Sequence, residues 1–180
     1  MSTPAVASLN RYETTFRFLA QPISVNFGGK VHGGALMKWI DETAYGCAAA
    51  WSGRYCVTVS VGNIHFHRPI LVGDLVELHA RVVATGRTSM HIHVTVQAGD
   101  PKSGESRQTT DCMVVMVAVN ENGHPVPVPA LVPQTDEQKR LAQYATDMKR
   151  ALDAIVELKP EEVTKGPIPM PRSHEPGSGV

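Results

Sequence analysis

Two adjacent glycines, Gly33 and Gly34, open a helical pattern that carries a carboxylate, Asp41, two turns later. Glycine has no side chain, so a ligand atom can approach its backbone closely. The first N–H groups of a helix lack intrahelical partners, and the helix dipole adds partial positive charge beside them. Such a helix start can bind an oxygen on which negative charge develops. A carboxylate nearby can act as general base or as nucleophile. Backbone donors for an oxygen, together with a carboxylate, are what acyl transfer requires. The Gly34 N–H, or that of its neighbour, is the expected donor. His32 directly precedes the glycines and Asn26 lies in the loop before them.

Each of these residues also has a plainer reading. A helical aspartate usually faces solvent. Asn26 suits a turn, and His32 suits a helix cap or a surface position. The elements around them decide between the readings. Leu36, Ile40, Ala44, Cys47 and Trp51 recur at the spacing of one helical face, and Asp41 lies off that face. Residues 44–50 are mostly small, which lets a sheet wrap closely around the helix, and Gly53 suits a left-handed cap. Ahead of the helix, Tyr12, Thr14, Phe16 and Phe18 alternate as in a strand.

Four further strands follow. Residues 55–67 begin with Val57, Val59 and Val61 on one face, and the apolar phase changes at Gly62-Asn63, which predicts a bulge. Val76, Leu78, Ala80 and Val82 alternate with polar residues, as do Met90, Ile92, Val94 and Val96, with a hairpin turn at Thr85-Gly86. Residues 110–119 are almost continuously apolar, as in a strand covered on both faces. One early helix followed by antiparallel strands predicts an α+β fold. Beyond Pro133, Thr135 and Gln138 form a capping box. Leu141, Tyr144, Ala145, Met148, Leu152 and Ile155 then make the stripe of an amphipathic helix ending near Lys159. The proline-rich segment 160–180 is expected to be disordered.

The pattern Asn-x6-Gly-Gly-x6-Asp, with His32 before the glycines, resembles the signature of hotdog-fold acyl-CoA thioesterases. The run from Val57 to Pro69, then Val72-Gly73-Asp74, is similar to the strand and turn that follow the helix in that family. Gly86-Arg87-Thr88-Ser89 is similar to its next hairpin. The resemblance spans residues 10–132 and implies a single hotdog domain, an antiparallel sheet wrapped around a central helix. A helical extension (133–159) and the tail (160–180) would follow. It implies Asn26, His32, Gly33, Gly34 and Asp41 as catalytic residues, with Asn26 supplied by the opposite subunit. Ser60 corresponds to a hydroxyl that some relatives use near the acid. Arg68, Arg87, Thr88 and Ser89 correspond to contacts with the nucleotide or pantetheine arm of coenzyme A. The implied reaction is hydrolysis of an acyl-CoA, with no metal and no cofactor beyond the coenzyme A of the substrate. The implied assembly is a homodimer at least, or a hexamer built as a trimer of dimers. The rival classes are a hotdog dehydratase pairing His32 with Asp41, and a non-catalytic acyl-CoA sensor.

Composition fits this frame. The chain has 180 residues, 42% of them hydrophobic, enough for one cored domain with extensions. Lys+Arg and Asp+Glu both number 17, so charge gives no reason to expect nucleic acid or an anionic membrane as partner. No apolar run approaches the roughly 20 residues of a membrane-spanning helix, and residues 1–10 lack a signal-peptide pattern. The three cysteines, Cys47, Cys56 and Cys112, read as buried thiols of a cytoplasmic protein. His65 with His67, and His91 with His93, each share a strand face but lack an acid or thiol that would complete a metal site.

Overall fold

A computed structural model describes residues 11–157 of the chain. In order these form β1 (Glu13–Leu19), α1 (Gly33–Ser52), β2 (Tyr55–Phe66), β3 (Leu75–Thr85), β4 (Ser89–Gly99), β5 (Arg107–Val119) and α2 (Asp136–Glu157). The five strands make one antiparallel sheet in the order β1-β3-β4-β5-β2. The expected helix end at Lys159, the tail 160–180 and the N-terminal residues 1–10 lie outside the described residues.

The core lies between α1 and one face of the sheet. Leu36, Ile40, Ala44 and Cys47 of α1 are buried there against Val76, Leu78, Ala80 and Val82 of β3 and Met90, Ile92, Val94 and Val96 of β4. Each fully buried aliphatic side chain of this kind contributes about 1.5–3 kcal/mol. Helix α1 stops at Gly53, whose φ of 65° is the left-handed conformation that glycine adopts without strain.

The opposite face of the sheet carries α2. Ala145 is fully buried against Val83 and Met113, with Leu141 and Tyr144 beside them. Gly62 lies beneath this helix: a Cβ there would stand 3.2 Å from Leu152 and 3.4 Å from Met148. The capping box forms as expected, with Thr135 Oγ1 accepting from Gln138 N at 3.2 Å and Gln138 Oε1 accepting from Thr135 N at 3.2 Å. Arg81 of β3 adds an ion pair to Glu137 of α2 at 3.0 Å. Among the described residues no helix is long and apolar enough to cross a membrane.

Strand β2 departs from the simple alternation expected of it. The register against β5 runs Thr58↔Met116 and then Ser60↔Val115, so Val59 is an extra residue. A second irregularity falls between Gly62 and His65, where Asn63 has a φ of 51°, at the predicted Gly62-Asn63 position. The Val59 bulge was not expected. It breaks the Val57–Val59–Val61 face, because a one-residue insertion reverses the side on which every later residue points. Thr58 and Val61 pair with Met116 and Val114 on the helix side, whereas Ser60 pairs with Val115 on the other.

Candidate active site

The start of α1 is organised by His32. Its Nδ1 accepts the Gly34 N–H at 2.9 Å, and its carbonyl accepts from Ala35 N at 2.9 Å and Leu36 N at 3.1 Å. This is an N-cap made by an imidazole, and it requires Nδ1 without a proton, so the proton of the neutral ring sits on Nε2. A Cβ on Gly34 would stand 3.2 Å from Nδ1 of the capping ring, tighter than an ordinary contact. Of the two donors expected, Gly34 or its neighbour, the Gly34 N–H is already engaged by the cap. Of the first four helix N–H groups, only that of Gly33 has no hydrogen-bond partner among the described residues.

Gly33 opens onto a cleft of about 290 Å³ lined by Asn26, Lys30, Leu36, Phe66, His67 and Arg68. The loop that shapes it is tightly bonded. Asn26 Oδ1 accepts from Gly28 N at 2.9 Å and Lys30 N at 3.3 Å, and Asn26 N donates to Lys30 O at 2.7 Å. Val31 N donates to Ile70 O at 2.9 Å and His32 N to Ser24 O at 2.7 Å. The Pro69–Asp74 turn is held from β5 by Arg107, which donates to Pro69 O at 3.0 Å and to the buried Asp74 at 2.8 Å. Asp74 in turn accepts from Leu71 N at 3.0 Å. Sequence reasoning passed over Arg107, because no local motif links it to a turn 33 residues away.

Asp41 lies in a different cleft, of about 370 Å³, with Tyr45, Tyr55, Val57, Thr58 and Met116. It is exposed in the single chain, and its Oδ1 accepts the Thr58 hydroxyl at 2.5 Å. Thr58 thus takes the place expected of Ser60, for the reason that the Val59 bulge supplies. The rise of 1.5 Å per residue puts Gly33 and Asp41 about 12 Å apart along α1. His32 is farther still from Asp41 along the same chain, and its Nδ1 is engaged in the cap.

The remaining residues divide between the two ends of the sheet. Arg68 lines the Gly33 cleft. Arg87, Thr88 and Ser89 sit at the β3–β4 hairpin, near the opposite end of β5, where Ser89 pairs with Val117. Arg87 O and Thr88 O accept backbone bonds from Val128 and Ala118. Arg87 is exposed. Of the paired histidines, His65 stacks on His67 with ring centroids 6.0 Å apart and meets Asn63 Oδ1 at 3.0 Å, and His67 meets Asp111 at 3.4 Å. Among the described residues, no three His, Cys, Asp or Glu side chains form a candidate metal site. Burial pushes the Cys47 and Cys112 thiols up to about 12, which removes them as nucleophiles.

A five-stranded antiparallel sheet packed around one central helix is a hotdog fold. Residues 28–105 match the Thioesterase superfamily. The chain is 34% identical over 145 residues to the protein VdlD of Helicobacter pylori, covering 81% of this chain and 82% of that one. It is 34% identical over 140 residues to the cytosolic acyl coenzyme A thioester hydrolase of Rattus norvegicus, covering 76% of this chain but only 36% of that one. A crystal structure of an apo-hexameric acyl-CoA thioesterase superposes with a TM-score of 0.79 at 37% identity, covering 83% of this chain and 96% of the other. The chain belongs to the hotdog-fold acyl-CoA thioesterase family, and it is a thioester hydrolase.

Proposed function

We propose that the protein hydrolyses acyl-CoA to a free acid and coenzyme A at a site shared between two copies of the chain. The observation that carries this reading is the separation of Gly33 and Asn26 from Asp41 into two clefts. At about 12 Å along one helix, the backbone donor and the acid of one chain cannot serve the same carbonyl. Strand β2 is an edge strand of the sheet. If two β2 edges pair antiparallel about a two-fold axis, the Tyr55 end of one strand meets the Phe66 end of the other. The Asp41 cleft then faces the Gly33 cleft of the partner. The hexameric thioesterase of similar fold supports an assembly of such dimers, as a trimer of dimers.

Within this site, the Gly33 N–H polarises the thioester oxygen and Asn26 from the same chain holds the reacting group. Asp41 of the other chain, oriented by Thr58, supplies the carboxylate. Asp41 either takes a proton from water, whose oxygen adds to the carbonyl carbon, or adds to that carbon itself and forms an anhydride that water opens. In both routes the carbon–sulfur bond breaks, the thiolate leaves with the bonding pair, and it is protonated to coenzyme A. Carboxylate, water and backbone donors suffice, so the reaction needs no metal or prosthetic group. Lys30 and Arg68 give the Gly33 cleft the cationic character that the phosphates of coenzyme A require.

The test is release of free thiol from a series of acyl-CoAs by the full chain, beside the Asp41→Asn variant. Turnover by the parent chain and its loss in the variant support the reading. Equal turnover in both overturns Asp41 as the reacting group. No thiol release from any acyl-CoA overturns the substrate class.

A further inference from the structure

The two clefts differ in chemistry as well as in position. Lys30, His67 and Arg68 line the one beside Gly33. The one around Asp41 has no cationic side chain in its lining; it is lined by Tyr45, Tyr55, Cys56, Val57 and Met116, together with the carboxylates of Asp41 and Glu42. Phosphates are repelled from such a place, whereas a hydrocarbon chain is accepted. A thioester spanning both clefts therefore directs its coenzyme A toward the cations and its acyl group toward the tyrosines.

Tyr45 is one turn beyond Asp41 on α1, in a run of small residues from Ala44 to Ala50. Its ring stands against that of Tyr55 on β2, with centroids 5.9 Å apart and planes inclined by 59°. In the single chain the two residues are 38% and 46% exposed. Among the described residues neither hydroxyl has a hydrogen-bond partner, so no bond explains the pairing. Four residues of helix advance about 6 Å, and a zigzag of carbon–carbon bonds near 1.5 Å each covers that distance in roughly four or five bonds.

We propose that Tyr45 and Tyr55 close the acyl end of the Asp41 cleft and set the chain-length limit of this thioesterase, selecting short acyl groups. The inference rests on the reading of the protein as an acyl-CoA hydrolase. A longer chain has to displace one ring or leave its own tail in water, and either outcome lowers kcat/KM.

The experiment measures kcat and KM for saturated acyl-CoAs from butanoyl to hexadecanoyl in the full chain, with Tyr45→Ala, Tyr55→Ala and the double variant. Tyr45→Leu serves as a milder truncation, and circular dichroism and light scattering check that each variant is folded and assembled. The expected result is a parent enzyme that favours butanoyl- and hexanoyl-CoA. In the double variant, the kcat/KM ratio of dodecanoyl- to butanoyl-CoA should rise at least ten-fold, and Tyr45→Leu should show a smaller rise of the same sign. A ratio unchanged in every folded variant, or a parent enzyme that favours long chains, overturns the proposal. Either result leaves the Asp41→Asn comparison intact, so failure of the tyrosine gate is distinguishable from failure of the hydrolase reading.

Discussion

Thr58 on β2 donates its hydroxyl proton to Asp41 on α1 at 2.5 Å, tying the acid of the helix to an edge strand of the sheet. Asp41 is otherwise an exposed carboxylate with free rotamers. The bond engages Oδ1, and no hydrogen bond to Oδ2 is present among the described residues. Asp41→Asn should lower kcat by about 10²-fold or more, the scale of general-base catalysis, with a smaller change in KM. Thr58→Val keeps the shape and removes the donor. It should lower kcat by roughly ten-fold, about the 1.4 kcal/mol carried by one hydrogen bond to a charged group, and Thr58→Ser should restore it. Steady-state kinetics of the three variants check this. Parent-like kcat in Thr58→Val would show that the bond is incidental.

Subunit exchange tests the shared site. A dimer of one Asp41→Asn chain and one Asn26→Ala chain contains one intact site and one doubly defective site. Activity should therefore rise when the two inactive proteins are mixed and allowed to exchange. Tagging each variant differently and purifying the doubly tagged species isolates the mixed dimer. If that species is as inactive as its parents, donor and acid belong to one chain.

The imidazole cap on α1 gives a stability prediction with its own rescue. His32→Leu removes the acceptor for Gly34 N–H and should cost about 1 kcal/mol, as loss of an N-cap does. His32→Asn supplies a side-chain oxygen in a standard cap and should recover most of it. Gly34→Ala should destabilise even with His32 present, because the added carbon meets the ring at 3.2 Å. Denaturant melts of the four proteins compare these values. A fully stable His32→Leu would remove the cap from the account.

Acid should loosen α2. His91 and His93 lie on the sheet face that α2 covers, and burial pushes both below the ordinary histidine value. Lys149 lowers His91 further while Asp153 opposes it, and for His93 the raising effect of Asp111 is opposed by Arg81 and His79. A folded-state value below the unfolded 6.5 means that the unfolded chain binds protons first. The contribution is whole above pH 6.5 and is lost as pH falls through the folded values. Thermal melts between pH 8 and 5 should show this decline, and His91→Gln with His93→Gln should flatten it. A decline of equal steepness in the double variant would assign it to other groups.

Arg107 should matter to turnover as well as to stability. It ties β5 to the turn on which the Asn26 loop is hung. Arg107→Met leaves Asp74 buried without its cation, at a cost on the order of 3 kcal/mol. At a temperature where the variant is still folded, kcat should also fall. Met113→Ala, beneath α2 and away from the loop, is the comparison: it should lower the melting temperature without that loss of kcat. Equal kcat in the two variants would confine Arg107 to stability.

Much of this molecule was legible in the residues themselves. The apolar spacing from Leu36 to Cys47, the cap at Gly53, the hairpin at Thr85-Gly86 and the capping box at Thr135 all depend on residues within a few positions of one another. Local sterics and periodicity dictate such features, so the sequence carries them directly. Asp41 at its distance behind a paired-glycine helix start was legible for the same reason.

The site needed more than local rules. Val59 is an ordinary strand residue, and nothing in its neighbours signals that it is the one skipped in pairing with β5. Yet that skip decides that Thr58, and not Ser60, meets the acid. Likewise, His32 beside two glycines leaves a cap and a site role both open, and the folded ring turns back onto Gly34 as a cap while the Gly33 N–H stays free among the described residues. By itself the sequence determined which groups are present and which helix and strands bear them, because helix and strand periods are set by backbone geometry. Only the tertiary structure decided which hydroxyl reaches the acid, which N–H stays free and that donor and acid face separate clefts. Those outcomes depend on strand register, on competition among hydrogen-bond partners and on the fixed rise of a helix, all of which act between residues far apart in the chain.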